Sequence, residues 1–462
     1  MGYRIREFEA ESKFCRQLSL EAIGRAVPSV AIEAVLAEHN ARERRERKLN
    51  AFVTMLLVIA MSIFTHLSIA HVLKKIAQGL RYVCPDPDYK VAGKGAISYR
   101  RYQLGARPLV ALFHRVCRPL ASTGTPGAFL YGRRLMAIDG TTEDVADTPE
   151  NVAAFGRHRS HRGPAAFPQI RAVYLAECGT HAIVDAGFWP IHTSERKGAL
   201  RMLRSVEAGM LVMVDAGLYE YDLVEGIVQH ESDVLARLPG QVGAKPVQVL
   251  PDGSYLARIY PSEYRRRRHG EHLLIRVMEY TFDDPARPGY GERHRLVTTL
   301  MDPEAYPALD LICAYHERWE IEITIDELDT HQHLLDRPLR SQKPVGVIQE
   351  LYGLLIAHYA VRYLMHEAAM QAGVDPDRIS FVHALRVLQD AIPEFEMTAP
   401  QQLARLYARL LNDIADELLP ARNNRTNPRV VKRKMSNFKL KRPEHYHWPQ
   451  PTCSFRDGVA LI

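Results

Sequence analysis

The 462-residue chain has little cysteine, and what it has is scattered. Its six cysteines, Cys15, Cys84, Cys117, Cys178, Cys313 and Cys453, form no CxxC pair. That argues against a zinc site and a disulfide framework, and it suits a reducing compartment. Long apolar runs are also missing. The longest, Ala51 to Phe64, is fourteen residues and carries Thr54 and Ser62. A membrane span needs about 20, so this run reads as a buried core helix. The opening residues MGYRIREFEAESK are charged throughout and hold no apolar secretory segment. These absences place the chain in the cytoplasm, without a membrane partner. A strong charge of one sign is absent as well: 60 Lys and Arg against 54 Asp and Glu leave +6. That balance permits nucleic acid as a partner without arguing for it. No internal repeat or low-complexity tract stands out. What remains is ordinary globular composition, 47% hydrophobic and 25% charged, enough for about three domains of roughly 100–200 residues.

The chain divides by pattern. Up to about residue 130 it reads as helices: Ser29 caps one running through VAIEAVLAEHNARERRERKL, the apolar helix from Ala51 follows, and Thr65 and Ser68 offer caps for SIAHVLKKIAQGL. CPDPDYK is a loop, and Ile97 to Cys117 reads as one more helix. Two short helices joined near Thr65–Ser68 suit a helix-turn-helix DNA reader; an all-helical support domain fits equally. From Leu135 the period changes. LMAID is a short apolar run ending in Asp139, PQIRAVYLA and HAIVDAG form a hairpin, and Ser194 opens a helix. MLVMV, residues 210–214, is apolar throughout and ends in Asp215. Such runs suit strands covered on both faces, in a mixed α/β sheet. Strand-like segments fill about 230 to 300. Helices return over 310–333, 345–373, 380–389 and 400–419, and the tail Arg422–Arg442 holds nine Lys or Arg and no acid.

Two apolar strands thus deliver Asp139 and Asp215 at their ends, where sites form in open α/β sheets. If the strands are neighbours, the carboxylates converge and need a divalent cation of the Mg²⁺ type, whose shell is completed by water and phosphate oxygens. The alternative is two unrelated aspartates capping local turns. A third candidate lies in YHERWEIEITIDELDTHQ. On a regular helix starting from Tyr315, the residues Arg318, Glu322, Asp326 and Asp329 fall at about 300°, 340°, 20° and 320°, one narrow stripe. Three acids there repel one another, so the stripe is either solvated or held near a cation.

Asp139-Gly140-Thr141 after a strand, Asp215-x-Gly217-x-Tyr219 after a second, and Tyr315-x-x-Arg318-Trp319-x-Ile321-Glu322 together resemble the DDE transposases of bacterial insertion sequences, more narrowly the insertion sequence four family. The spacing agrees: Asp139 and Asp215 stand 76 positions apart, Asp215 and Glu322 107. The resemblance implies an α/β fold with an RNase H-like mixed sheet over 131–230 and 301–345 and a β-rich insertion over 231–300. The residue pattern adds a helical amino-terminal domain over 1–130, read as DNA-binding and compatible with the resemblance, helices over 346–420 and a basic tail over 421–462. The resemblance also implies a reaction. Asp139, Asp215 and Glu322 would hold two Mg²⁺ ions, with Mn²⁺ as a substitute, for in-line displacement at phosphorus. The partner would be double-stranded DNA, both the element's terminal inverted repeats and the target, with a homodimer on DNA and a place at the nucleoid. Tyr315 and Arg318 would contact DNA near the cleaved end.

One departure stands out. The family usually has a lysine seven positions after the glutamate, and here that position is Asp329. His331, Arg337 or Arg340 could carry the displaced phosphate contact. Arg265, Arg266, Arg267 and Arg268, between two strands of the insertion, suit a sequence-blind grip on phosphates; a solvated turn is the plainer reading. The insertion has no tryptophan between Trp189 and Trp319, so base stacking there would fall to Tyr255, Tyr260, Tyr264 or Tyr280. Residues 346–364 read as core behind the glutamate helix, with His358 a satisfied core histidine. Two rivals remain: an RNase H-like nuclease without strand transfer, and an inactive or repurposed transposase-derived DNA-binding protein, to which Asp329 leans.

Overall fold

The computed structural model describes residues 4–7, 18–42, 49–83, 91–160, 163–262, 272–287, 289–316, 318–333, 337–419, 431–432, 439–440 and 450–462. In chain order the helices α1 (Ser29–Glu38), α2 (Ala51–Ile63), α3 (Ile69–Ile76), α4 (Gln78–Val83), α5 (Lys94–Leu104) and α6 (Arg107–Val116) come first. Then come β1 (Arg133–Asp144), α7 (Pro149–Phe155), β2 (Gln169–Glu177), β3 (Ile183–Pro190), α8 (Glu195–Met202), β4 (Met210–Val214), α9 (Tyr221–Gln229) and β5 (Asp233–Arg237). The insertion supplies β6 (Pro246–Val249), β7 (Tyr255–Ile259), β8 (Leu273–Phe282) and β9 (His294–Thr298). The remainder is α10 (Ala308–His316), α11 (Trp319–Asp326) continued by a π-helical stretch Glu327–His333, α12 (Pro344–Ala372), α13 (Phe381–Met397), α14 (Leu403–Ala415) and β10 (Val459–Leu461). Three antiparallel strands followed by a parallel β4–α9–β5 unit is the RNase H-like order, so the expected class holds.

The chain forms two compact units. The first takes residues 1–129, 134–205 and 319–419. Its sheet is β1–β2–β3, antiparallel, with Asp139 opposite Tyr174 and Val173 opposite Gly187. Its helical part is built round α2, whose residues are almost all buried. The fourteen-residue apolar run is thus the core helix its length required. Asn50 caps it, its side-chain oxygen accepting from the Val53 N–H at 2.8 Å. Helix α12 crosses α2 where Gly353 leaves room: a Cβ there would stand 2.8 Å from the Val58 carbonyl oxygen. Ser68 caps α3 as its sequence position implied.

The second unit takes 130–133, 206–318 and 420–462. Its strand order is β4–β5–β9–β8–β7–β6, with only the β4–β5 pair parallel, and β10 adds to β8. All five side chains of β4 are buried, and each large apolar one contributes about 1.5–3 kcal/mol on leaving water. At its centre Arg276 is completely buried. It donates to Ser254 Oγ at 2.8 Å and to the Tyr306 carbonyl at 2.6 Å, and it pairs with Asp252.

Several expected elements are revised. The helix from Ser29 ends at Glu38, because Asn40 takes the left-handed conformation (φ 51°) that asparagine tolerates. The helix expected over 97–117 is two helices: Gly105 turns at φ 69°, and Pro108 opens α6, where a missing N–H costs nothing. The expected 310–333 helix breaks at 316–318, so its single acidic stripe does not exist as drawn. The helix expected over 380–389 runs on to Met397 through Pro393, with Gly79 of α4 packed on that turn. Strand β1 does not stop at Asp139. Its Gly-Thr-Thr run keeps pairing with β2 through Asp144 opposite Gln169, which leaves Asp139 in mid-strand. Short helices α7 and α9 went unread. Among the described residues no helix is long and apolar enough to cross a membrane, and none of the four described cysteines is in a disulfide.

Candidate active site

Asp139 is half-buried on β1, its Oδ1 accepting the Gly140 N–H at 2.8 Å. Gly140 admits a close neighbour. A Cβ at that position would collide with the Glu195 carboxylate and stand 3.0 Å from the Ala172 carbonyl oxygen. Glu195, in the first turn of α8, is held by Arg171 at 3.5 Å. The glycine of the Asp-Gly-Thr run is thus closely approached by the end of the Glu195 side chain, which would have to swing aside for a methyl.

Side chains two apart on a strand share a face, so Asp139, Thr141 and Glu143 point the same way. Thr141 and Glu143 face the π-helical stretch that continues the glutamate helix. Thr141 Oγ1 donates to Asp329 Oδ2 at 3.4 Å, and Glu143, buried, also bonds to Asp329. Burial, and then the Asp329 charge, push the Glu143 carboxyl well above the usual range. Asp329, the departure from the family pattern, is thus a partner of β1.

Glu322 sits half-buried on α11, a helix with two acidic stripes. On a regular helix, residues seven apart differ by about 20°, so Glu320 and Glu327 form one stripe, and Glu322, about 200° from Glu320, leads the opposite one. The back stripe is buried in a cluster of ions. Glu320 Oε2 lies 2.5 Å from His181 Nε2, and His181 Nδ1 lies 3.3 Å from Glu327 Oε1. Arg362 grips Glu327 with both arms, through Nε at 2.9 Å and through Nη2, and His358 Nε2 reaches it at 3.1 Å. Asp377 lies 3.3 Å from His181 Nε2. Burial by itself would raise the Glu327 carboxyl, but the charges of Arg362 and His181 and the hydrogen bonds outweigh it and hold it well below the usual range. Burial raises Asp377 and lowers His358. His358 is a core histidine as the sequence implied, but only half satisfied: Nε2 meets Glu327, while Nδ1 is buried without a hydrogen-bond partner among the described residues. None of the other five was singled out in the sequence; two acids seven apart, Glu320 and Glu327, on one helical stripe were the available signal.

In the second unit, Asp215 follows β4 directly and is half-buried, its carbonyl accepting from Leu218 and Tyr219. Tyr315 donates its hydroxyl to the Val214 carbonyl at 3.2 Å, next to Asp215, and burial pushes that phenol far up. Arg318 is buried beside the Tyr315 ring, 5.8 Å from its centre. The Arg318 N–H bonds the Tyr315 carbonyl in a turn, which is where the expected long helix ends. Asp139 and Glu322 thus belong to the first unit, and Asp215, Tyr315 and Arg318 to the second.

Of the alternative phosphate contacts, Arg340 is tied to the Leu67 and Met61 carbonyls at 2.9 and 3.0 Å, whereas His331 and Arg337 are exposed. Tyr255 is bonded to Glu279 at 2.8 Å, Tyr280 is buried, and Tyr260 is half-buried. Tyr264, the run Arg265–Arg268 and, apart from the pair 431–432 with 439–440, the tail 422–442 lie outside the described residues.

Comparison with known proteins agrees with this architecture. Residues 17–114 match the insertion element 4 transposase N-terminal family, and residues 130–359 match the transposase DDE domain. The chain is 27% identical over 419 residues to transposase InsG for insertion sequence element IS4 of Escherichia coli, spanning 89% of this chain and 92% of that one. To putative transposase InsZ of the same organism it is 27% identical over 132 residues, 28% of this chain and 44% of the other. A piggyBac transposase synaptic complex with hairpin DNA is a loose structural likeness, with a TM-score of 0.44 at 12% identity over 90% of this chain and 88% of that one. DDE domains work with divalent metals on DNA. The chain belongs to the DDE transposases of bacterial insertion sequences, of the insertion sequence four kind.

Proposed function

We propose that the protein cleaves DNA at the ends of an insertion sequence and transfers the 3′-ends to target DNA, with Asp139, Asp215 and Glu322 as metal-holding catalytic residues. The donor set fits a hard cation: three carboxylates, each only half-buried and so open to water and phosphate oxygens. Two Mg²⁺ ions, when bound, supply charge neutralisation at the scissile phosphate and favour the deprotonated form of the attacking oxygen. The chain's own work is positional. The Gly140 N–H orients Asp139, the clash-free surface of Gly140 admits α8, and the Val214 carbonyl next to Asp215 is fixed by Tyr315. The single observation that carries the reading is the Thr141–Asp329 bond, which sets the strand face of Asp139 against the helix that bears Glu322.

DNA contacts follow the same reading. Residues 1–130, the arginines 265–268 and the basic tail grip phosphates, Tyr315 and Arg318 stand next to the reacting end, and two copies act on two ends. Asp139→Ala should abolish Mg²⁺-dependent cleavage of DNA carrying the element's ends, a loss of about 10³-fold or more, while filter binding of the same DNA is kept. Undiminished cleavage rejects the assignment. A pre-cut end that is never joined to target would leave the nuclease rival, and a wild-type protein that binds but never cuts would leave the repurposed DNA-binding protein.

A further inference from the structure

We infer that the buried ion cluster behind α11 sets the position of Glu322, so that His181, Glu320, Glu327, His358, Arg362 and Asp377 are positioning residues for metal binding; this rests on the reading of Glu322 just given. The geometry is a two-point clamp. Glu320 is anchored to His181, which follows β2 in the left-handed conformation (φ 57°). Glu327 is anchored to His358 and Arg362, one turn apart on α12. The two acids stand seven residues apart on one stripe, about 10 Å of helix rise, and His181 bridges them through its two ring nitrogens, so the brace fixes both the rotation and the axial setting of the helix. Glu322 projects from the opposite side between them. At the far end Gln332, fully buried in the π-helical stretch, donates to the Ser62 and Leu354 carbonyls, both at 3.3 Å. The π geometry, common at functional sites, lets Glu327, Asp329 and Gln332 reach three different partners.

The cluster is a set of ion pairs, not a second metal cage. Two ligands on one zinc, each at about 2.0–2.2 Å, stand well over 3 Å apart, whereas His181 Nε2 and Glu320 Oε2 are 2.5 Å apart, a charge-assisted hydrogen bond. An ionic anchor suits this place better than an apolar one. Arg362 holds both oxygens of Glu327 in one plane, which fixes orientation where greasy contacts permit sliding.

The test uses Mn²⁺ as probe, read as loss of the free-ion electron paramagnetic resonance signal, on the full-length protein. Glu327→Gln leaves Arg362 buried without its charge partner and destabilises the fold, so it is paired with the charge-balanced double variant Glu327→Gln/Arg362→Met. The folded double variant should bind Mn²⁺ about 10- to 100-fold more weakly, with unchanged affinity for end DNA and a restored thermal midpoint. Wild-type Mn²⁺ affinity in that variant, or equal losses in Mn²⁺ and DNA binding, would overturn the inference. Wild-type amides over 319–333 should exchange as slowly as those of α12; exchange at loop rates overturns it without any variant. Asp139→Ala separates the two readings: if it too keeps Mn²⁺ binding, the catalytic assignment fails, whereas its loss beside an unaffected double variant condemns the clamp alone.

Discussion

Each of the two units buries an arginine almost completely, and the two are satisfied in opposite ways. Arg276, in the insertion sheet, spends most of its donors on neutral acceptors: Ser254 and the carbonyls of Leu300 and Tyr306, with Asp252 its one acid, itself partly exposed. Arg362, behind the glutamate helix, grips Glu327 in a cluster that also holds Glu320, Asp377 and two histidines. The first is a staple between loops, and its loss would leave mainly neutral acceptors unpaired. The second is the counter-charge for acids that cannot reach water. A staple serves stability, whereas a counter-charge also decides which conformations of its helix are allowed.

Substituting the two arginines should separate the units most clearly. Arg362→Met should cost about 3–5 kcal/mol in urea unfolding, because it strands buried carboxylates. Arg276→Met should cost less, about 1–3 kcal/mol, the desolvation of a few carbonyls. Equal costs would erase the distinction. Next in size is Gly140→Ala. The added methyl must displace the Glu195 carboxylate and press on the Ala172 carbonyl, an overpacking cost of about 1–3 kcal/mol, with cleavage lost even where the fold survives; a wild-type melting point would show that the neighbourhood is slack.

Acids of the first unit also differ in sign. Glu327 has a depressed folded pKa, so its stabilisation is present above the ordinary glutamate range and is lost as pH falls through the folded value. Glu143 has a raised one, so its contribution is whole below the ordinary range and is lost as pH rises through the folded value. Glu143→Gln should therefore make stability less sensitive to rising pH, while Glu327→Gln should hurt most at neutral pH and least in acid. Thermal midpoints across pH for both variants check this, and parallel profiles would refute it. The smallest effect belongs to the helical region. Asn50→Ala removes the cap of α2 and should lower stability by about 1 kcal/mol, measurable as a small shift in the urea midpoint with DNA cleavage untouched.

Much of the fold was legible because its signals are local. Ala51–Phe64 could only be core, MLVMV could only be a covered strand, and the hairpin of PQIRAVYLA with HAIVDAG followed from period and turn. What failed was continuity. Nothing local marks 316–318 as a break: Tyr315 is drawn to the Val214 carbonyl, and Glu320 and Glu327 to His181 and Arg362, contacts 101, 139 and 35 positions away. Nor did the run after Asp139 announce that Gly-Thr-Thr would go on pairing, since its partner β2 lies some thirty residues on.

Family membership was written in the sequence, and with it the candidates for the chemistry. Asp139, Asp215 and Glu322 sit in runs whose residue types and order identify the family without coordinates, because motif and hydrophobic period are written in neighbouring residues. Only the tertiary structure decided how the glutamate helix is held. Its two-faced character depends on His181, His358, Arg362 and Asp377 arriving from three other stretches of chain, and burial turns those ordinary side chains into a clamp. Charge interactions of that kind gain their strength from the exclusion of water, which is a property of the packed chain and not of any segment in it.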